Sequence, residues 1–227
     1  MHPQSTLRFA TLAAVCVIAL GMSQPSSAAA WRGSHRNGVT GDHVVAGQGA
    51  NGGRGIHAGG TVGDGSGGLI HASGGAYSGA NGTVWRGSYT HLQSNGGVTH
   101  QGAHRINGAN GGYDNGHNSF SRNPDGSSQA SWQNSGRGAN GGSIYSSGNF
   151  SRGSDGTLAG SSQTSASGTR GNYNGSTTAA NGTTTHDSDY KAANGDSYQG
   201  ESSYTKGQGY THSGTCKDAQ GNVIQCH

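Results

Sequence analysis

Imidazole, thiol and carboxylate side chains are where this sequence could do chemistry. Beyond residue 30 there are eleven histidines. His91 and His100 sit symmetrically about Asn95-Gly96. If Asn95 and Gly96 form a two-residue hairpin loop, Ser94 pairs with Gly97 and, further out, His91 pairs with His100. Directly opposed residues on one face of an antiparallel ladder hold their Cβ atoms roughly 4.5–5.5 Å apart. Imidazoles at that distance can bind zinc, copper or nickel. His57 and His71 lie symmetrically about Asp64 in the same way. These four are the candidate metal ligands. Two ligands make only a loose site, so no resident cofactor is expected. Imidazoles also titrate near pH 6.5, which makes closely paired histidines pH-responsive.

The thiol chemistry is simpler. Cys216 and Cys226 bracket a polar segment in which Asp218 to Asn222 supplies turn residues. In an oxidising compartment such a pair closes a small disulfide loop. A zinc site with His227 is the rival reading, but two cysteines ten apart without a second pair is poor zinc spacing.

Catalysis finds little to work with. Glu201 is the single glutamate among 10 acidic residues, so paired carboxylates of the glycosidase type have no obvious candidates. No Gly-x-Ser-x-Gly elbow stands in a strand-to-helix setting. The glycine run from Gly49 to Gly55 has neither the lysine nor the helix of a phosphate loop. Gly-Gly-x-Gly-x-Asp calcium nonapeptides do not recur every nine residues. Arginines are scattered and the formal charge is +3, so nucleic-acid binding is not expected. The chain reads as a non-enzyme.

Those side chains need elements to position them. Arg8, the apolar run Phe9 to Leu20 and the small residues Ser26 to Ala30 have the order of a secretory signal peptide with cleavage near Ala30. The apolar run is shorter than the about 20 residues of a spanning helix, and nothing later could cross a membrane. Past residue 30, Leu, Ile, Val and Phe number 17 in 197 residues. That is about half the level, roughly 20%, below which chains struggle to fold around a core. The 46 glycines follow no three-residue period, which excludes collagen.

Regular punctuation replaces the missing core. Gly-Ala-Asn-Gly recurs with its asparagine-glycine pairs at Asn51-Gly52, Asn81-Gly82, Asn110-Gly111 and Asn140-Gly141. Halfway along each unit stands a second turn signal, including Asp125-Gly126 and Asp155-Gly156. Self-similarity at a fixed period marks a repeat architecture. Asn-Gly and Asp-Gly are hairpin signals, because type I′ turns need positive φ at both central residues. Asn123-Pro124-Asp125-Gly126 suits instead a type I turn closed by a glycine bulge. The half-period of about 15 then resolves into a strand of roughly ten residues plus a turn.

The expected fold is all-β: a glycine-rich, repetitive antiparallel hairpin array, drawn as a long β-meander or a β-solenoid, or partly disordered. The expected organisation is a signal peptide over 1–30, hairpin repeats of about 30 residues over 31–170, shorter Thr/Tyr/Gly-rich units over 171–214 and a disulfide-closed hairpin over 215–227. Trp85, Tyr89, Trp132, Tyr190 and Tyr204 are among the aromatics able to form contact ladders. The expected function is a secreted structural or adhesive surface or matrix protein. Its partners would be other copies of itself or a surface polysaccharide. The alternative is a soluble secreted module that binds a metal ion or a glycan.

Overall fold

The computed structural model describes residues 29–33, 39–48 and 52–226, and every regular element among them is a strand. In chain order these are β1 (Ala29–Gly33), β2 (Val39–Gln48), β3 (Arg54–Gly63), β4 (Leu69–Gly79), β5 (Gly82–Leu92), β6 (Val98–Gly108), β7 (Tyr113–Arg122) and β8 (Ser128–Arg137). They continue with β9 (Ser143–Arg152), β10 (Leu158–Gly168), β11 (Gly171–Ala180), β12 (Thr183–Ala192), β13 (Ser197–Thr205), β14 (Gly209–Lys217) and β15 (Val223–Ile224). All fifteen lie in one sheet whose spatial order equals the sequence order, each antiparallel to the next. Of the two expected geometries the chain takes the meander. The expected signal peptide, 1–30, lies outside the described residues except for Ala29 and Ala30, which pair with Ala46 and Val45.

The sheet is a single layer. Among the described residues, Ala58 and Ala179 are the only buried apolar side chains. Substantial contacts between elements run only from each strand to the next in sequence. Stability is therefore shared along a one-dimensional series of neighbours, as in repeat proteins, and does not come from a common core.

Most turns share one design. At Gln93–Gly97, Gly108–Gly112, Asn123–Ser127, Gly138–Gly142 and Gly153–Thr157 the first residue's N–H donates to the fifth residue's carbonyl. The fourth residue's N–H donates back to the first carbonyl. This is a type I turn with a glycine bulge. Its fourth residue is left-handed: φ is 87° at Gly96, 80° at Gly111, 86° at Gly126, 82° at Gly141 and 84° at Gly156. The third residue is Asn or Asp, and at Asn95, Asp125 and Asp155 its side chain caps a nearby N–H. Asp125 Oδ1 accepts from the N–H of Ser127 at 2.8 Å, and Asp155 Oδ1 from that of Thr157 at 2.9 Å. Asn-Gly and Asp-Gly thus mark the turns for two reasons at once: an Asx cap and a left-handed glycine.

The bulged turn is as expected at Asn123–Gly126 and differs from the type I′ expectation at Asn95-Gly96, Asn110-Gly111 and Asn140-Gly141. Asn81 closes a two-residue loop with Ala80, and Gly82 already pairs with Gly79. Asn51 lies outside the described residues, while Gly52 has a φ of 76°. The type I′ turn is found at Asn181-Gly182, with φ of 53° and 78°.

A Cβ at residue 126 would meet nothing within 4 Å, so Gly126→Ala tests backbone strain alone. The expected cost is about 1–2 kcal/mol. It should appear as faster hydrogen exchange confined to the 123–127 turn and its flanking strands.

Candidate functional site

The extra residue in the bulged turn decides where the histidines go. Leu92 pairs with Val98, which sets His91 opposite Thr99 and His100 opposite Thr90. A one-residue slip in register sends a side chain to the other face. His91 and His100 therefore point to opposite faces, and the geometry does not bring them together. The five-residue loop 64–68 shifts the other pair as well. His57 lies opposite Gly75, and His71 lies opposite Thr61. His57 and His71 share a face but stand four positions apart along the strand direction. No group of three His, Cys, Asp or Glu able to hold a metal exists among the described residues. The double variant His91→Ala/His100→Ala should therefore leave the calorimetric heat of zinc addition equal to that of the parent.

The histidines instead tie neighbouring strands together. His91 Nε2 donates to Asp64 Oδ2 at 2.9 Å, and His104 Nε2 donates to Asp114 Oδ2 at 2.9 Å. His71 Nδ1 lies 2.9 Å from Thr61 Oγ1, and His100 Nδ1 lies 2.8 Å from Thr90 Oγ1. His43 and His57 stack, with ring centroids 5.2 Å apart. Burial, then the neighbouring His43 and Arg86, push the His57 imidazole below its usual range.

Hydrogen bonding shifts several carboxylates. The bond from His91, followed by those from Ser66, holds the Asp64 carboxyl well below the usual range. Bonds from Ser127, Thr157 and Asn222 do the same for Asp125, Asp155 and Asp218. A depressed carboxyl contributes stability above its unfolded value and loses it as the pH falls below about 4. A depressed imidazole binds fewer protons when folded, so the His57 contribution is already falling as the pH drops through about 6.5. The thermal midpoint should therefore decline in two acid steps. His57→Gln should flatten the upper one, and Asp64→Asn should flatten part of the lower.

Cys216 and Cys226 form a disulfide with Cα atoms 5.4 Å apart. It spans the turn at Asp218–Asn222 and pins β15, which pairs only through Cys216–Ile224 and Lys217–Val223.

Tracing the register across the sheet gives each face a distinct composition. One face carries a row that reads Tyr77, Val84, Ile106, Asp114, Gly136, Ile144, Ala166, Tyr173, Tyr190, Tyr198, Cys216 and Ile224 from β4 to β15. A parallel row holds Phe120, Ala130, Phe150, Ala179, Tyr204 and Tyr210. Eleven of the fourteen exposed large apolar or aromatic side chains lie on this face; Trp85, Tyr113 and Val223 are the exceptions. It also holds six of the nine tyrosines and seven of the nine described strand histidines. The opposite face is a lattice of hydroxyls and amides. One of its rows runs Gln101, Ser119, Ser131, Asn149, Ser161, Thr178, Thr185, Ser203 and Thr211. Ser119 and Ser131 hydrogen bond at 2.7 Å within it.

Strand glycines on the aromatic face serve as seats for rings. A Cβ at Gly148 would strike the indole of Trp132, which donates from Nε1 to Ser146 Oγ at 3.3 Å and stacks on Phe150. Tyr198 covers Gly200 and Gly214 in the same way, and Tyr173 covers Gly175. An aromatic ring laid over a glycine restores the packing that the missing side chain forfeits.

Toward the C-terminal end the polar face is concave. Gln163, Asn174, Asp187, Asp189, Gln199 and Glu201 line this groove, with Tyr145 at its side. Gln199 donates to Asp189 at 3.0 Å, and Gln163 donates to Ser147 Oγ at 3.4 Å.

Fold and faces define a single-layer antiparallel meander with one aromatic and one polar face. No protein-family model matches the chain, and neither a curated protein nor a solved structure does. No helix among the described residues is long and apolar enough to cross a membrane.

Proposed function

We propose that this chain is a secreted, non-enzymatic structural protein that assembles into surface or extracellular-matrix material. The observation that carries this reading is the coreless sheet: among the described residues only two apolar side chains are buried, and most of the exposed apolar groups collect on one face. Monomeric soluble proteins rarely leave a contiguous apolar patch beyond a few hundred Å² uncovered. A sheet of this extent gains its second layer by association. The order of apolar run and small residues in the first thirty positions supports export, and the disulfide suits an oxidising compartment. The purified mature protein should sediment as β-rich assemblies. A monodisperse monomer at high concentration overturns the reading.

The polar groove favours a second reading, a glycan-binding module. Planar amides and carboxylates beside a tyrosine suit the paired hydroxyls and apolar face of a sugar ring. Oligosaccharide binding that is lost in Gln163→Ala/Gln199→Ala, by a protein that stays monomeric, would select it.

A further inference from the structure

We propose that the aromatic face packs against the same face of a second copy, with strand order reversed, so that the N-terminal half of one sheet lies on the C-terminal half of the other. This rests on the structural reading above and names the surface responsible.

Three observations lead to a second copy. The first is area. Strands of about ten residues at roughly 3.3 Å each, across twelve strands spaced about 4.8 Å apart, give each face roughly 1,900 Å². Two such faces together exceed the roughly 1,200–2,000 Å² of a standard interface and fall in the range of obligate dimers. Sheets stack about 10 Å apart, a spacing that interdigitated Ile, Phe and Tyr side chains fill.

The second is the division of the long row. After Tyr77 its N-terminal half is mainly aliphatic, with Val84, Ile106 and Ile144 alongside Asp114 and Gly136. Its C-terminal half is aromatic, with Tyr173, Tyr190 and Tyr198. A two-fold axis along the strands lays each half on the other.

The third is charge. On this face, from β3 to β14, the formal charges are Arg86, Arg122, Arg152 and Asp114, and all four lie on β5 to β9. Strands β10 to β14 contribute none to this face. Copies stacked with strand order preserved would set arginine strands against arginine strands. With the twelve strands β3 to β14 reversed, Arg86 on β5 faces β12 and its Tyr190, where a guanidinium over the ring is attractive, while Arg122 on β7 and Arg152 on β9 face β10 and β8, which carry no formal charge on this face. The two-fold contact is isologous, so it closes at a pair and leaves both polar faces outward.

The test measures assembly and tyrosine reactivity on the full mature chain. In Ile144→Thr/Tyr173→Thr/Tyr190→Thr, threonine keeps strand propensity and removes bulk from the aromatic face. The control, Gln101→Glu/Ser161→Asp, adds charge to two separated positions of the polar face. By sedimentation velocity the parent and the control should be paired or larger, and the triple variant should shift to monomer at least tenfold more readily on dilution. Far-ultraviolet circular dichroism should show β structure in all three. Tetranitromethane should nitrate Tyr113 and Tyr145 on the polar face of the parent while Tyr173, Tyr190 and Tyr198 stay protected. A parent that assembles while the triple variant assembles equally, or while Tyr173 and Tyr190 nitrate freely, overturns this interface and leaves the structural reading standing. A parent that is monomeric throughout overturns both.

Discussion

Gly148→Val loosens the middle of the sheet by about 1–3 kcal/mol, the usual range for forcing extra volume into a filled site. Gly148 stands between Trp132 on β8 and Ser162 on β10 in the pairing register. A Cβ there would lie 2.5 Å from Trp132 Cη2 and 2.6 Å from Ser162 Cβ, so valine evicts the indole. With it go the hydrogen bond to Ser146 and the stack on Phe150, whose ring centroids are 6.0 Å apart at an interplanar angle of 10°. Such a stack is worth about 0.5–1.5 kcal/mol beyond its buried area. Tryptophan emission should move to the red. Hydrogen exchange should quicken in β8, β9 and β10 and nowhere else, because each strand packs only on its neighbours. Adding Trp132→Ala to the valine variant should cost less than the two changes separately, since the clash is then already relieved. Unchanged emission and exchange in Gly148→Val would show that the ring does not sit on the glycine.

That glycine illustrates what could be read from residue types alone. Composition made Gly148 a small residue inside a strand. Its role as a seat depends on Trp132 lying directly opposite, a fact of register between strands. The strands themselves were legible: Asn or Asp followed by glycine, every 15 residues or so, marks the turns because both an Asx cap and a left-handed backbone are needed there. The hairpin at Asp125-Gly126 follows from that spacing, and the closing disulfide from the two cysteines and the turn residues between them, whereas meander and solenoid fit the spacing equally well. Turn type at Asn95-Gly96 was less legible. A type I′ loop and a bulged type I loop both welcome Asn-Gly, yet they differ by one residue in register. That residue separates His91 from His100 and assigns every downstream side chain to a face. The aromatic and polar faces were hidden for the same reason. Alternation within β9, where Ile144 and Phe150 share one parity and Tyr145 and Asn149 the other, was visible. Only the sum of all the turns shows that fifteen alternations fall into phase.

Breaking the disulfide should have the largest local effect. In Cys216→Ser/Cys226→Ser the closed loop of about ten residues is lost, and loop-closure entropy sets the expected penalty near 3 kcal/mol. In a sheet whose strands depend only on their neighbours, that penalty falls on the C-terminal hairpin. β15 keeps just two pairings and the Asp218 turn, so its opening should become about a hundredfold more frequent, since each 1.4 kcal/mol is a factor of ten. Residues 218–226 should become protease-sensitive and exchange rapidly, while β1 to β13 keep the parent's protection. A second consequence concerns the edge. The outer side of β14 from Gly209 to Thr215 is unpaired, and β15 caps only Cys216 and Lys217 beyond it. Unpaired edges template the addition of further strands. With β15 detached the open edge spans all of β14, so the variant and the reduced parent should grow longer edge-to-edge assemblies than the oxidised parent at equal concentration. The aromatic-face contact would be unaffected, because it uses side chains and leaves the backbone edge free. A reduced protein that keeps its tail protected and its assembly size unchanged would show that the Asp218 turn alone holds the cap.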